Sequence, residues 1–528
     1  MPVPLRFRFV RLARSPAARA LLAAGALMAA AATPHDADAV PPQPPADAAW
    51  TLPPAIAAAL ARAHVPTSAM ALWVQPVDAP TPSWGLNPDV GMNPASVFKL
   101  ATTSAALDLL GPAWSWKTPV WFTGPVQQGV LKGSLVIRGS GDPSLVLERA
   151  WLLLRQVRDA GVRRIEGDIV LDHDAFAPNA RSPADFDDAP SEPYNVLPDA
   201  LLLNYKAATL SFMPDAAAHV ARVVAEPPLA GVAVDPAVPL LRGPCDDWRG
   251  ALKFAGDDPA RWHFAGGYPA SCGARNWPLA YADPASYDAR LVDALWRAVG
   301  GTLKGRVRDG ASAGLLARGA APVFEFASPP LAQVVRDINK YSNNTMAEQV
   351  FLTLAMQARA ADPASASLPT AGAPSSDAAI ASPAGVTQDE ARAALSQWLR
   401  SRLGAAANDV VIANGSGLSR DTRISARTLA ALLQWVWRSP AMPELMSSLP
   451  LNGVDGTLRH GGATPGRAHL KTGSMRDVVA LAGYVLADSG RRYVLVAIVN
   501  DPNAAAARPA LDAAVDWVER DPAAAAPN

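Results

Sequence analysis

Apolar runs with β-type patterns lie near both ends of this chain. The segment 69–77, AMALWVQPV, predicts a strand because apolar residues dominate it over a strand-like length. Near the C-terminus, DVVALAGYVLAD and RRYVLVAIVND are joined by Ser489-Gly490, which predicts an antiparallel hairpin. A helical pattern follows over about 504–519. Antiparallel strands covered by helices predict an α+β fold class.

Helical patterns border two short polar segments, one just before residue 99 and one at 341–344. The apolar run LATTSAALDLLG predicts a helix that starts near residue 99 and stops at Gly111 and Pro112. Two further helical patterns, LAQVVRDINK and TMAEQVFLTLAM, lie on either side of 341–344. Each polar segment is therefore expected at the start or the end of a helix, where side chains can point into a cleft.

The middle of the chain, 114–325, has a different pattern. Short β-type runs punctuated by Pro and Gly (VWFTG, GSLVIRG, EGDIVLD, AATLSFM and HVARVVAE) predict a mainly β region with one helix at 147–161. Residues 359–386 are rich in Ala, Ser and Pro without periodicity, which predicts a disordered surface loop. No fixed-period repeat is visible.

The N-terminus has the organisation of a secretory signal peptide. Five arginines precede an apolar run from Ala20 to Ala32, and Ala37-Asp38-Ala39 offers a small-residue cleavage site, so residues 1–39 are predicted to be removed. A membrane anchor is the weaker reading because the run is short and rich in alanine. No later stretch is apolar enough to span a bilayer, so no stable membrane anchor is expected.

Composition excludes several classes of function. The 528 residues suffice for two or three domains, and the formal net charge of zero argues against nucleic acid as a partner. The seven histidines form no metal-ligand pattern, and no phosphate-binding Gly-Lys-Ser/Thr loop occurs, so neither metal nor cofactor is predicted. The two cysteines, Cys245 and Cys272, are expected to form a disulfide in an exported protein, with two free buried thiols as the alternative.

One lysine is placed unlike the others. The chain has eight lysines against 39 arginines, and only Lys99 has a serine, Ser96, three residues before it. On a helix, positions i and i+3 share a face, so the two side chains can meet. A buried lysine can lose its proton and then accept one from a serine, which arginine cannot do. By itself this spacing is common, and a helix start with an exposed lysine is the alternative.

Two later segments support the interpretation of Ser96 and Lys99 as a nucleophile and its base. Ser342 and Asn344 form a Ser-x-Asn between two helical patterns, where they either point into a cleft or simply cap the next helix. Lys471-Thr472-Gly473-Ser474 opens the C-terminal strands, and Gly473 would let a substrate backbone approach closely. The alternative is an ordinary strand-end lysine followed by a turn glycine.

Taken in order, Ser-x-x-Lys, Ser-x-Asn and Lys-Thr-Gly resemble the motif set of penicillin-binding proteins and serine β-lactamases. The long separation of Ser96 from Ser342 is similar to that in the D-alanyl-D-alanine carboxypeptidase/endopeptidase family of penicillin-binding protein 4 type, the low-molecular-mass class C proteins. Three further segments resemble that family: Gly139–Leu145, Asn414–Arg420 and Gly453–Leu458. The chain departs from its pattern at Ala413 and Arg476, which bears on substrate preference.

The resemblance implies a domain plan. A β-lactamase/transpeptidase-like catalytic domain would comprise 47–113 and 326–525, with an inserted domain at 114–209 and 297–325 and a nested domain at 210–296. It also implies a periplasmic enzyme that acts on peptidoglycan stem peptides and is acylated by β-lactam antibiotics.

The same resemblance assigns roles. Ser96 would attack the penultimate D-alanine carbonyl, Lys99 would accept its proton, and Ser342 would relay a proton to the leaving amine. The expected substrate-binding residues are Asn344, Arg420, Lys471, Thr472, Gly473 and Ser474. The backbone N–H groups of Ser96 and Ser474 would form the oxyanion hole.

Other readings remain open. A β-lactamase or transpeptidase is the enzymatic alternative, and a catalytically idle wall-binding scaffold is the alternative from another class. A Gly-x-Ser-x-Gly pattern at 310–314 is interpreted as a surface loop, because the charged lead-in 304–309 does not suit a buried parallel strand.

Overall fold

The computed structural model describes residues 51–317, 319–361, 385–461 and 464–521. The predicted signal peptide, 1–39, lies outside the described residues. So do residues 362–384 of the predicted loop at 359–386, whereas residues 359–361 belong to a helix. No helix among the described residues is both long and apolar enough to cross a bilayer.

Helices and strands follow one another along the chain in a mixed order. The helices are α1 (Pro54–Arg62), α2 (Lys99–Leu110), α3 (Leu147–Asp159), α4 (Trp248–Leu252), α5 (Pro284–Ala298), α6 (Leu331–Tyr341), α7 (Asn344–Ala361), α8 (Gln388–Leu403), α9 (Ala426–Trp437), α10 (Met442–Ser448) and α11 (Arg508–Glu519). The first strands are β1 (Met70–Pro76), β2 (Trp84–Leu86), β3 (Lys117–Phe122), β4 (Val126–Gln127), β5 (Val130–Leu131), β6 (Leu135–Arg138), β7 (Arg164–Ile165), β8 (Ile169–Asp172), β9 (Ala207–Asp215), β10 (Val220–Glu226) and β11 (Ala233–Val234). The remaining strands are β12 (Ala237–Leu241), β13 (Phe254–Ala255), β14 (Arg261–Phe264), β15 (Tyr268–Pro269), β16 (Arg275–Ala280), β17 (Thr302–Leu303), β18 (Val307–Asp309), β19 (Phe324–Ala327), β20 (Ala468–Met475), β21 (Val478–Leu486) and β22 (Arg492–Asn500).

A five-stranded antiparallel sheet of order β2-β1-β22-β21-β20 joins the two ends of the chain. Both of its faces are covered, one by α1 and α11 and the other by the helices around α2, so β21 and β22 are almost wholly buried. Burial on both faces explains why these strands read as continuous apolar runs. The predicted α+β fold class, hairpin and first strand are confirmed.

Helix α2 lies inside this assembly. Its residues from Lys99 to Leu107 are all buried, and Lys99, Thr102 and Thr103 among them make side-chain hydrogen bonds. Gly111, at φ 80°, ends the helix in a conformation that glycine adopts without a Cβ clash. A 3₁₀ turn, Ala95–Phe98, precedes α2, so Ser96 lies in a tight turn just before the helix.

The region between α2 and α6 forms further sheets around its own apolar core. The largest have the orders β18-β8-β6-β3-β19 and β15-β12-β10-β9-β16. The predicted disulfide is confirmed, since Cys245 is bonded to Cys272. The proposed division of this region at residues 210 and 296 stays a prediction.

The interpretation of 310–314 as a surface loop was partly wrong. Its lead-in forms β18, which pairs in parallel with β8. Ser312 is only 4% exposed, and its backbone N–H donates to the Asp172 carboxylate. The serine is therefore part of the packing of this sheet rather than an exposed nucleophile.

Candidate active site

Ser96 and Lys99 are brought together by the turn that leads into α2. The Lys99 Nζ lies 2.8 Å from Ser96 Oγ, and it donates to Asn344 Oδ1 at 2.7 Å and to the Ser416 carbonyl at 2.7 Å. Three oxygens thus hold the amine in one orientation, and in its neutral form the nitrogen lone pair can accept from the serine hydroxyl. This is the contact that the i, i+3 spacing predicts.

The turn is held in an unusual backbone conformation. Ala95 has φ 46°, which is sparsely populated for a residue with a side chain. Its N–H donates to Asn93 Oδ1 at 2.9 Å, and Asn93 is itself bonded to Asn500 on β22. Gly417 packs so closely that a Cβ there would lie 2.1 Å from the Ala95 carbonyl oxygen. These contacts maintain strain immediately beside the candidate nucleophile.

Burial changes the protonation of Lys99. Its side chain is fully buried, and the resulting desolvation lowers its pKa well below the usual value. The nearby Lys471 lowers the pKa further, whereas Glu348 opposes both effects. A buried amine beside a second amine favours the neutral form, which can act as a base.

Ser342 lies at the end of α6 and contacts the other lysine. It adopts a left-handed conformation at φ 57°, and its Oγ accepts a hydrogen bond from Lys471 Nζ at 2.9 Å. Lys471 also donates to the Thr472 carbonyl at 2.8 Å. Its fully buried amine has a pKa lowered to about 7 by desolvation. Ser342 is therefore paired with Lys471 rather than hydrogen-bonded to Lys99.

Asn344 bridges the candidate base and the middle region. While its Oδ1 accepts from Lys99, its Nδ2 donates to the Tyr194 carbonyl at 3.1 Å. Directly after Asn344 on α7, Thr345 Oγ1 donates to the Val196 carbonyl, and farther along the helix Gln349 bonds the backbone of Asp199. The segment 194–199 thus packs along the helix that carries Asn344.

The strand β20 passes directly beside the nucleophile turn. At Gly473, a Cβ would lie 2.4 Å from the Pro94 carbonyl oxygen and 3.2 Å from the Ser96 nitrogen, so only glycine fits there. Thr472 shares a hydrogen bond of 2.7 Å with the Thr457 hydroxyl, and Ser474 Oγ accepts from Arg508 Nη2 at 2.8 Å. The motif Lys-Thr-Gly-Ser therefore lines the edge of the sheet next to Ser96.

Arg420 is the predicted site residue that stands apart. Its guanidinium pairs with Asp477 at 3.3 Å and lies 5.4 Å from the centroid of the Phe186 ring. It makes no hydrogen bond to the serines or lysines of the three motifs among the described contacts. Its partner Asp477 lies in the turn that follows β20.

Sequence reasoning missed three residues of the site. Glu348 is 4% exposed, and its Oε1 accepts from the Ser416 N–H at 3.3 Å. Its position four residues after Asn344 on one helix was an available signal. The Ser416 carbonyl accepts from Lys99 Nζ, and the glycines on either side of Ser416 were a sequence signal for close backbone packing. Arg508 lies at the start of α11, where the sequence carried no signal.

Comparisons with known proteins indicate the family of this chain. The model of the D-Ala-D-Ala carboxypeptidase 3 (S13) family matches residues 52–375 and 376–521. A D-alanyl-D-alanine carboxypeptidase DacB of Haemophilus influenzae is 24% identical over 77% of this chain and 80% of its own length. A D-alanyl-D-alanine carboxypeptidase of Actinomadura sp. is 29% identical over 77% of this chain and 73% of its own length.

Solved structures show the same fold. The crystal structure of penicillin-binding protein 4 from Haemophilus influenzae covers 84% of this chain and 96% of its own length, with a TM-score of 0.65 and 20% identity. A second structure of that protein, complexed with a novel β-lactam, has a TM-score of 0.60 and 20% identity, covering 82% of this chain and 89% of its own length. Since the family model spans most of the sequence, the chain belongs to the D-Ala-D-Ala carboxypeptidase 3 (S13) family.

Proposed function

We propose that this protein is a serine-type D-Ala-D-Ala carboxypeptidase that acts on peptidoglycan stem peptides through an acyl-enzyme on Ser96. The observation that carries the proposal is the 2.8 Å contact between Lys99 Nζ and Ser96 Oγ in a buried site. Covalent acyl transfer requires at least a nucleophile and a base within hydrogen-bond distance of each other. Family membership supports the same chemistry.

The acylation step uses the two lysines differently. Neutral Lys99 takes the proton of Ser96 as the hydroxyl oxygen attacks the carbonyl of the penultimate D-alanine. The backbone N–H groups of Ser96 and Ser474 stabilise the oxyanion. Ser342, bonded to Lys471, relays that proton from Lys99 to the leaving amine, so terminal D-alanine departs and Lys99 is neutral again. Asn344 holds Lys99 and positions the substrate amide.

The second step returns the enzyme to its starting state. Water attacks the acyl carbonyl, and Lys99 assists by accepting a proton from it. The Ser96 oxygen leaves and regains its proton. A cross-link between two stem peptides presents the same D-alanyl carbonyl, so the enzyme also acts as an endopeptidase. A β-lactam acylates Ser96 in the same way.

The setting of this chemistry is the periplasm. The signal-peptide pattern of residues 1–39 and the disulfide between Cys245 and Cys272 support export to an oxidising compartment. Peptidoglycan lies in that compartment and supplies the D-alanyl-D-alanine ends.

The test is intact-mass analysis of the mature protein with benzylpenicillin, beside the Ser96→Ala variant. A long-lived adduct on the wild type alone, with release of D-alanine from a peptide ending in D-Ala-D-Ala, is the expected result. An adduct that disappears within seconds while hydrolysed drug accumulates would indicate a β-lactamase instead. Neither adduct nor D-alanine release would overturn the proposal and favour a wall-binding scaffold.

A further inference from the structure

A buried carboxylate lies close to the candidate base, and the proposed acylation steps do not use it. Glu348 is 4% exposed and lies one turn after Asn344 on α7, so the two side chains share one face of the helix. Asn344 Oδ1 accepts from Lys99 Nζ at 2.7 Å. The helix face that holds the lysine therefore also carries a carboxylate.

Glu348 is connected to Lys99 through one peptide unit. Its Oε1 accepts from the Ser416 N–H at 3.3 Å, and the Ser416 carbonyl accepts from Lys99 Nζ at 2.7 Å. Asn414 Oδ1 supports the same turn, since it accepts from the Ser416 N–H at 3.2 Å and from the Gly417 N–H at 2.9 Å. The carboxylate thus helps to fix the carbonyl that orients the amine.

The other oxygen of this carboxylate faces the region between α2 and α6. Arg181 Nη2, from that region, lies 3.5 Å from Glu348 Oε2, and Gln388 Nε2 on α8 donates to the same oxygen at 3.5 Å. Within the part of the chain that the structure describes, Arg181 is the only cation within 4.0 Å of the carboxylate. An arginine from a distant part of the chain therefore pairs with the carboxylate beside the base.

Two charged side chains act on Lys99 from neighbouring elements. Burial lowers the pKa of Lys99 most, Lys471 on β20 lowers it further, and Glu348 on α7 raises it. The charged side chains in the first turns of α8 pair with one another or with α7 rather than with Glu348: Asp389, Glu390 and Arg392. The anion that acts on Lys99 is therefore paired with Arg181 alone.

We propose that Glu348 is a positioning residue for Lys99 and that Arg181 holds its carboxylate in place, so the region between α2 and α6 acts on the catalytic base. The inference rests on the proposed function and deepens it. Glu348 keeps the Ser416 carbonyl against the amine and supplies a negative charge, and Arg181 offsets part of that charge. Loss of the carboxylate charge leaves Lys99 neutral to lower pH, whereas loss of Arg181 leaves it protonated to higher pH.

The experiment follows the rate of acylation by benzylpenicillin across pH in the mature protein, by quenched intact-mass analysis. The variants are Glu348→Gln, which keeps an oxygen acceptor for the Ser416 N–H but removes the charge, Arg181→Gln, and the two combined. The control is Arg222→Gln, which removes an exposed positive charge from the same region of the chain. The thermal midpoint of each variant is measured to show that it is folded.

We expect Glu348→Gln to move the acidic fall of the acylation rate to lower pH by about one unit, the lower range for loss of a nearby opposite charge. Its rate above that fall should stay close to that of the wild type. Arg181→Gln should move the fall in the opposite direction. In the double variant this upward shift should be smaller than in the wild-type background, because no carboxylate remains for the arginine to hold. Arg222→Gln should match the wild type.

Several results would overturn the proposal. Glu348→Gln could leave the acidic fall in place or move it to higher pH. Arg181→Gln could match the Arg222→Gln control, or it could shift the fall equally with and without the carboxylate, which indicates a long-range effect of charge. An equal loss of rate at every pH would indicate a structural role alone.

All of these results leave the proposed function intact if the wild type still forms the Ser96 adduct. A wild type that forms no adduct and releases no D-alanine would remove the proposed function and this inference together.

Discussion

Lys471 Nζ lies 2.9 Å from Ser342 Oγ, which ties the edge strand of the sheet to the turn between α6 and α7. The family resemblance implies that Ser342 relays a proton between Lys99 and the leaving amine. In the structure its lysine partner is Lys471, while Lys99 is held by Ser96, Asn344 and Ser416. Ser342 therefore acts beside a second buried amine, and its hydroxyl can exchange a proton with that amine.

Removal of the Ser342 hydroxyl should slow acylation without unfolding the protein. We expect both Ser342→Ala and Ser342→Gly to reduce adduct formation with benzylpenicillin by roughly 10²-fold, the lower range for loss of a proton-transfer group. The glycine variant is the matched control for stability, because Ser342 has φ 57° and glycine adopts that conformation without strain. A glycine variant with near-normal acylation would remove Ser342 from the mechanism.

The pH dependence of acylation should report the lowered pKa of Lys99. Its neutral form is the base, and burial lowers its pKa well below the usual 10.5. We expect the acylation rate to be nearly constant over the pH range just below the usual lysine pKa, and to fall at lower pH as Lys99 becomes protonated. An amine with an ordinary pKa would instead give a rate that rises about tenfold per pH unit over that range. Stopped-flow or quenched-mass kinetics distinguish the two profiles.

Replacement of the base by a permanent cation should abolish turnover. In Lys99→Arg the charge remains but the group cannot accept a proton, so neither D-alanine release nor adduct formation is expected. The variant also forces a larger charged group into a site with no exposure, so its thermal midpoint must be measured. Lys99→Met, which keeps the apolar stem, is the companion variant. Substantial activity in either would exclude Lys99 as the base.

The ion pair between Lys340 and Asp455 should position the hydroxyl of Thr472. Lys340 Nζ bonds both Asp455 oxygens at 2.8 and 2.7 Å, and the following turn presents Thr457 to Thr472. We expect Lys340→Met to destabilise the fold by about 1–2 kcal/mol, since Asp455 is partly exposed, and to weaken donor binding.

Asp455→Asn provides the matched comparison. Its side-chain oxygen can still accept from the Leu451 N–H, which now bonds Asp455 Oδ1 at 2.9 Å, so the loop contact survives while the ion pair is lost. Equal effects of the two single variants on KM, with no further loss in the double variant, would indicate that the pair acts as a unit. A normal KM in Lys340→Met would contradict the positioning role.

Local patterns determined much of this protein. The i, i+3 spacing of Ser96 and Lys99, the apolar runs of β21 and β22 and the stop at Gly111 depend on neighbours in the chain, and each led to a correct prediction. The three motifs also sufficed for a resemblance that the family match supports. Such features are visible in sequence because helix and strand periodicities are short.

Tertiary structure alone decided which partners meet. Ser342 pairs with Lys471, Glu348 reaches the Ser416 backbone, and Arg508 bonds Ser474, although each pair joins different elements of the fold. The pKa values of the two lysines follow from complete burial, which no local pattern reports. Contacts of this kind depend on how distant segments pack, and desolvation depends on everything that surrounds a group, so both emerge only when the chain is folded.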